Sequence, residues 1–427
     1  MADMKNKLRG LLEQHGVMTG AQWRARLGEL EAEREAGLHE IHTVVDGEAV
    51  ENEGGAFFRV RTVYEAETPH GAARLGAALD ARAEHIATTA NNAALADWNP
   101  AAALYIDTET TGLAGGTGTA AFLVGAGYFE DGVFVLEQCF MRDFDEEEAM
   151  LRHLAALFRR CGAVVSYNGV SFDAPLLRSR FIGNRLPFPL DATPHYDLLH
   201  AARRLWRPRI GDCRLSHVEE EILGVTRQGD IPSHLIPEIW LDYIRSRDAR
   251  KLGRVFYHHR MDILSLAALT GLVSACLRAP DGAGFAHAED RLSYMRLLFR
   301  QRRYDDAVAA GQALLAEAPP DPVRNSALRL LAEAHKRRQD WRAMAEAWEA
   351  LLEREPRSLE ARHELAKYYE HRARDLAEAR RHCAEALQLI ATAEALQRGG
   401  GLPGWGRPDF EHRLARLDRK AARARRR

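Results

Sequence analysis

Three apolar runs in close succession, AALYID (102–107), AAFLVGAGYF (120–129) and GVFVLEQCFM (132–141), commit the centre of this chain to a sheet. Runs of this length, rich in aromatic and β-branched residues and bounded by turn residues, read as strands. Glu130-Asp131-Gly132 separates the last two runs, and an Asp-Gly pair between apolar segments favours a tight antiparallel hairpin. A helix follows in DEEEAMLRHLAALFRR, with acids in its first turn and arginines in its last, as the helix dipole favours. The buried strand AVVSYN comes next, and helices then alternate as far as Cys276. A meander followed by strand–helix alternation is the mark of an α/β fold, a mixed sheet with helices packed on it.

The 427 residues exceed what one core organises, and four stretches are expected. Residues 1–98 form an extension: short amphipathic helices to about residue 40, then alternating residues around Gly54-Gly55 that form a small sheet of their own. Residues 99–279 hold the α/β domain, and Ala279 to Gly284, APDGAG, is a linker. Residues 289–393 are helical with an internal repeat. Tyr304-x-x-Ala307 precedes Pro319 and Trp341-x-x-Met344 precedes Pro356 by the same fifteen residues, and Leu376-x-x-Ala379 opens a third unit. Spacings of 37 and 35 lie near the roughly 34-residue period of tetratricopeptide hairpins. Repeats of that kind bury their apolar faces mainly on one another, so the segment from Glu289 onward is expected to be removable without loss of the domain before it. Residues 394–427 are a basic tail, either a disordered solubilising segment or a phosphate-binding arm.

Hydrophobic residues at 46% and charged residues at 28% fit a soluble protein, and no stretch approaches the roughly 18 apolar residues of a membrane span. Five cysteines, odd in number and without a CxxC pair, indicate neither a disulfide framework nor a zinc knuckle, so a reducing cytoplasm is expected. With a net charge of only −2, any surface for a polyanion must be local. Arg203, Arg204 and Trp206, with Arg207 and Arg209, gather cations around an indole, a mix suited to phosphate contact and base stacking, or else a solvated helix end. The glycine-rich GLAGGTG (112–118) lacks the Lys-Ser or Lys-Thr of a P-loop, which excludes a phosphate cradle of that type.

Acids mark the chemistry. Asp107 and Glu109 are two apart at the end of a strand, so they share a face while Thr108 points away. Such pairs also occur at solvated strand ends. Asp173 begins a helix after the strand AVVSYN and reads equally as its N-cap, while Tyr167 and Asn168 end that strand and line a cleft or make a turn. Finally, Tyr257-His258-His259-Arg260-Met261-Asp262 opens the apolar helix ILSLAALTGLV; His258 and His259 share the face of Asp262 and Tyr257 lies off it. An imidazole beside a carboxylate is a layout for a proton acceptor next to a metal ligand.

In this order the motifs DTETTGLAGGTGT, VVSYNGVSFDAPLL, HYDLL, DIPSHLIP and HHRMDILSLAAL resemble those of the ribonuclease-H-like exonucleases named DEDD for their four acids, and more closely the YprB-type subgroup. The resemblance implies a ribonuclease-H-like mixed sheet flanked by helices, with an all-α tetratricopeptide-like C-terminal domain. It implies a two-metal nuclease using Mg²⁺ or Mn²⁺, cutting single-stranded or end-frayed nucleic acid in the 3′-5′ direction, with a protein partner at the repeats. Asp107 would then bridge both ions, Glu109 and Asp262 would complete the first ion's shell, Asp173 would hold the second, and His258 would act on the attacking water. One branch of that family carries Tyr four residues before the last Asp and the other His five before, whereas this chain has His258 at four and Tyr257 at five. A nuclease-like scaffold that no longer cuts, and a phosphodiesterase of short oligonucleotides, are the alternative readings.

Overall fold

The computed structural model describes residues 39–112, 118–279, 281–395 and 406–425. The short helices expected before residue 39 and most of the glycine-rich loop, 113–117, lie outside them. The apolar runs become strands: β1 (Glu48–Asn52), β2 (Gly55–Glu65), β3 (Pro69–His70), β4 (Ala73–Arg74), β5 (Ala103–Thr110), β6 (Ala121–Glu130), β7 (Val133–Phe140), β8 (Ala163–Ser166) and β9 (His195–Asp197). Seven of them make one mixed sheet in the order β1-β2-β7-β6-β5-β8-β9, and β3-β4 is a separate ribbon. β5 pairs antiparallel with β6 and parallel with β8. The β6–β7 turn places Asp131 at φ 49° and Gly132 at φ 84°, the doubly left-handed turn that an Asp-Gly pair supplies.

The strands around Gly54-Gly55, expected to form a small sheet of their own, instead join the central sheet. β2 pairs along β7 from Phe58↔Phe140 to Glu65↔Val133. Without β2, β7 would leave an apolar strand edge open; β2 covers it while keeping its hairpin with β1 on its other edge. Alternation within β1 and β2 shows that they are strands but not which edge they cover.

Helices α1 (Glu147–Phe158), α2 (Asp173–Gly183), α3 (Ile236–Ser246) and α4 (Leu252–Cys276), the last as far as Ala268, belong with this sheet. Adjacent β7 residues show how α1 and α4 are arranged: Glu137 meets His153 of α1, whereas Gln138 donates to the Phe256 carbonyl of α4. Neighbours on a strand point to opposite faces, so α1 and α4 sandwich the sheet. α4 begins at Leu252, well before the start expected at its apolar run, because Leu252, Val255 and Phe256 are buried and carry the apolar stripe back through the histidines. It lies close on β6. A Cβ on Gly125 would fall 1.9 Å from Ile263 Cδ1 and 2.6 Å from His259 Cε1, and one on Gly127 would fall 2.8 Å from Ile263 Cγ2.

The compact units are not consecutive stretches of chain. Among the described residues, one takes its members from Met1–Leu79, Asn99–Asp197 and Gly224–Ala268, and the other from Asp80–Trp98, Leu198–Leu223 and Leu269–Arg427. In the second, helices Ala288–Arg300 and Tyr304–Ala316, Asp321–Arg337 and Trp341–Arg354, and Leu359–Tyr368 and Leu376–Ala395 form successive pairs. Tyr304, Trp341 and Leu376 each open the second helix of a pair, and two residues before each stands a left-handed residue: Arg302 (φ 62°), Gln339 (φ 62°) and Arg374 (φ 57°). The described part of the basic tail is neither disordered nor free. Arg407–Arg425 is a helix that buries Phe410 and Leu417 against Leu359, Ala366 and Cys383. Its Arg413, Arg416 and Lys420 donate to buried Glu370. Burial alone would raise that carboxyl, yet Arg416 and Lys420 hold it at about 2.

Gly125→Ala is expected to destabilise by about 1–3 kcal/mol through overpacking under α4. Gly183→Ala, with open space around its Cβ, should be neutral or slightly stabilising. Denaturant unfolding of the two variants beside wild type makes the comparison.

Candidate active site

β5 carries the first two acids beyond the point where its burial ends, so Asp107 and Glu109 are half-buried at the sheet's edge on the face of α4. A register shift between Glu109 and Thr110 bends the strand there. Thr108 points away from this pair but is not idle, because its hydroxyl donates to Asp173 Oδ1 at 2.5 Å. Asp173 is the first residue of α2, not its cap; Phe172 occupies the cap position and supplies no side-chain bond. Asn168 takes φ 65°, which turns the chain after β8, and Asp197 at the end of β9 clamps the turn by accepting from the amides of Asn168 (2.8 Å) and Val170 (3.3 Å).

From the other side, α4 presents His258, His259 and Asp262. His258 Nε2 lies 3.5 Å from Asp262 Oδ2 and 3.9 Å from Glu109 Oε1, and these groups form one ligand-sized cluster. Its Nδ1 faces Asp230 at 2.8 and 2.9 Å, which orients the ring, and its Nε2 meets the Ser233 hydroxyl at 3.2 Å on the side of the acids. His259 has a different place. It is fully buried, its Nε2 donates to the Asp107 carbonyl at 3.1 Å, and Nδ1 accepts from Gln138 at 3.0 Å; burial lowers its pKa to about 4, so it stays neutral. Tyr257 is half-buried with Arg260 over its ring. Arg227 completes the group: its guanidinium pairs with Asp262 and, at 3.2 Å, with Asp230.

Arg227, Asp230 and Asp197 escaped the sequence reading. Asp197 lies in HYDLL and Asp230 in DIPSHLIP, both quoted motifs, but nothing local says that either carboxylate turns inward. In the other direction, Trp206 is buried and offers no face for a base, and Arg204 is spent on the Thr89 carbonyl. Arg203 is exposed; all three belong to the helical unit. A second group with metal-ligand side chains, Glu137, Cys139 and His153, is already satisfied by protein donors. His153 and Tyr128 bond Glu137 at 2.7 and 2.8 Å, with Arg59 3.5 Å away.

Electrostatics set the two groups apart. Burial, then the charges of Asp262, Asp173 and Glu109, push the Asp107 carboxyl well above its usual range; burial, Asp262 and Asp173 do the same to Glu109. Burial raises Asp173 to about 6 against the Thr108 hydroxyl. Glu137 is held down at about 2, because His153, Tyr128 and Arg59 outweigh burial. An oxygen-rich cluster whose acids repel one another fits a hard divalent cation such as Mg²⁺ or Mn²⁺. Because the folded pKa of Asp107 exceeds its unfolded value, its ionisation is a penalty absent below the unfolded pKa and growing as pH rises toward the folded one. In chelator, Asp107→Asn should therefore raise the melting temperature more at pH 7.5 than at pH 5; equal shifts at both would show that the repulsion is not there.

A comparison with protein families finds the RNase H superfamily over residues 104–274, from within β5 to within α4. The uncharacterized protein YprB of Bacillus subtilis (strain 168) is 30% identical over 321 residues, 74% of this chain and 74% of that protein. No helix among the described residues is long and apolar enough to cross a membrane. A sheet of this order with acids at the end of the interior strand β5, matched by both comparisons, places the chain in the RNase H superfamily, as a relative of YprB with an RNase H-like nuclease domain.

Proposed function

We propose that this protein is a metal-dependent exonuclease that hydrolyses phosphodiester bonds from the 3′ end of single-stranded or frayed nucleic acid. The observation that carries the reading is the cluster of Glu109, Asp262 and His258, with Asp107 and Asp173 near enough to couple to it electrostatically; burial and then the neighbouring charges raise Asp107 and Glu109. Two Mg²⁺ or Mn²⁺ ions at such a site supply an activated water and stabilise the leaving oxygen. Asp107 would be shared between the ions, Glu109 and Asp262 would hold the first and Asp173 the second. Asp230 fixes His258 with Nε2 toward the acids, so His258 accepts the proton lost during attack. Val170 and Phe172, 44% and 61% exposed beside Asp173, offer apolar faces to the terminal bases. The paired helices of the second unit, repeated in phase, serve to hold a protein partner.

The Arg227–Asp262 pair favours a second reading, a scaffold that no longer cuts, because it supplies a cation of the protein's own. End-labelled DNA and RNA, single-stranded and duplex, with Mn²⁺, Mg²⁺ or chelator, separate the two. Metal-dependent shortening that Asp107→Ala abolishes supports the nuclease, and undiminished cutting in excess chelator sinks the metal mechanism.

In single-turnover cleavage at saturating Mn²⁺, His258→Ala should lose about 10²- to 10⁴-fold, the usual worth of a general base. Tyr257→Phe should cost little, and a collapse there with a near-normal His258→Ala would transfer the role to Tyr257. His259→Ala removes buried bonds to Asp107 and Gln138, so its signature should be a lowered melting temperature. Phe172→Ala should weaken binding by roughly 1–3 kcal/mol, the worth of one stacked base, measured by fluorescence anisotropy with a labelled single strand in Ca²⁺. Unchanged affinity would remove Phe172 from the substrate path.

A further inference from the structure

Arg227 sits among carboxylates that the nuclease reading needs for metal. Its side chain is 7% exposed, it pairs with Asp262 Oδ1, and it reaches Asp230 Oδ2 at 3.2 Å. Its charge offsets carboxylate repulsion at both Asp107 and Glu109. A guanidinium cannot shed its proton to make way for another cation. The contact therefore competes with a divalent ion for the same carboxylate, and the two charges repel each other if both stay.

The backbone that carries Arg227 is built differently from the rest of the pocket. Asp107 and Glu109 stand on a strand, and Asp173, His258 and Asp262 stand on helices. Residues 224–232 have neither helix nor strand, and left-handed glycines, Gly224 (φ 67°) and Gly229 (φ 70°), flank Arg227 on both sides. Asp230 holds both Arg227 and His258 Nδ1, so the guanidinium keeps one anchor when it leaves Asp262, and the imidazole keeps its orientation.

We propose that Arg227 is an intramolecular place-holder for the metal: it neutralises Asp262 in the metal-free protein, and loading of a divalent ion and withdrawal of Arg227 from Asp262 are one coupled exchange. The inference rests on the metal-site reading of the acids. The ion pair holds Asp262 in place before the ion arrives, and it lowers apparent metal affinity by the free energy of the displaced pair.

The test uses the full chain and Mn²⁺ as the probe. Calorimetry measures Mn²⁺ binding, and mass spectrometry follows the rate at which phenylglyoxal modifies Arg227, with Arg209, paired to Asp290, as internal reference. Saturating Mn²⁺ should raise the Arg227 rate severalfold and leave Arg209 unchanged. Arg227→Gln should bind Mn²⁺ about tenfold more tightly than wild type, a coupling within the usual range for linked sites. If wild type binds no Mn²⁺, the metal reading itself fails. If it binds Mn²⁺ while the Arg227 rate is unchanged or lower, the place-holder is overturned and the ion pair is a permanent strut. The modification arm uses wild-type protein, so it decides the matter even if Arg227→Gln does not fold.

Discussion

The close approach of α4 to β6 is the constraint on which the site depends. Gly125 is paired with Asp107 on the adjacent strand, and the absence of a side chain at 125 lets His259 reach the Asp107 carbonyl. With α4 held there, successive helical turns bring His258 and Asp262 over the two acids of β5. A larger residue at 125 would push the histidine face outward and leave the strand acids without partners. Backbone contact thus comes first and the carboxylate cluster follows from it.

That ordering explains what the sequence could and could not disclose. The strands were legible because their apolar runs are bounded by a turn whose residues select left-handed backbone, and the shared face of His258, His259 and Asp262 follows from helical spacing alone. The different fates of the two histidines were not legible. Both lie on the acid face, but burial under the sheet makes His259 a neutral strut, whereas Asp230 turns His258 toward the pocket. Asp230 and Arg227 sit in a segment without periodicity, and only tertiary structure gives such residues a direction. Trp206 shows the converse: charges around an indole suggest a surface, but the indole went to a core.

Charge balance separates the two ligand-like groups more sharply than geometry does. Around Glu137, a histidine, a tyrosine and an arginine converge on one carboxylate, and the protein supplies every counter-charge it needs. Around Asp107, several carboxylates face one arginine, and burial together with their mutual repulsion raises the carboxyls of Asp107 and Glu109. Burying negative charge without counter-charges is costly, and this cluster lacks the balance that Glu137 has. Glu370 repeats the balanced pattern, with three cations of the last helix gathered on one carboxylate, which explains why a basic tail ends as part of a core.

The same reasoning bears on whether chemistry and repeats can be parted at the linker. The unit that holds the repeats also takes in Asp80–Trp98 and Leu198–Leu223 from earlier in the chain. Within it, buried Asp290 accepts from Arg209 at 2.9 Å, and Gln301 donates to the Thr88 carbonyl at 2.8 Å. A chain cut near residue 279 would keep both early segments and lose these partners, exposing the apolar faces they cover. The linker APDGAG marks a break in composition, but the packing of the helical unit reaches back across it.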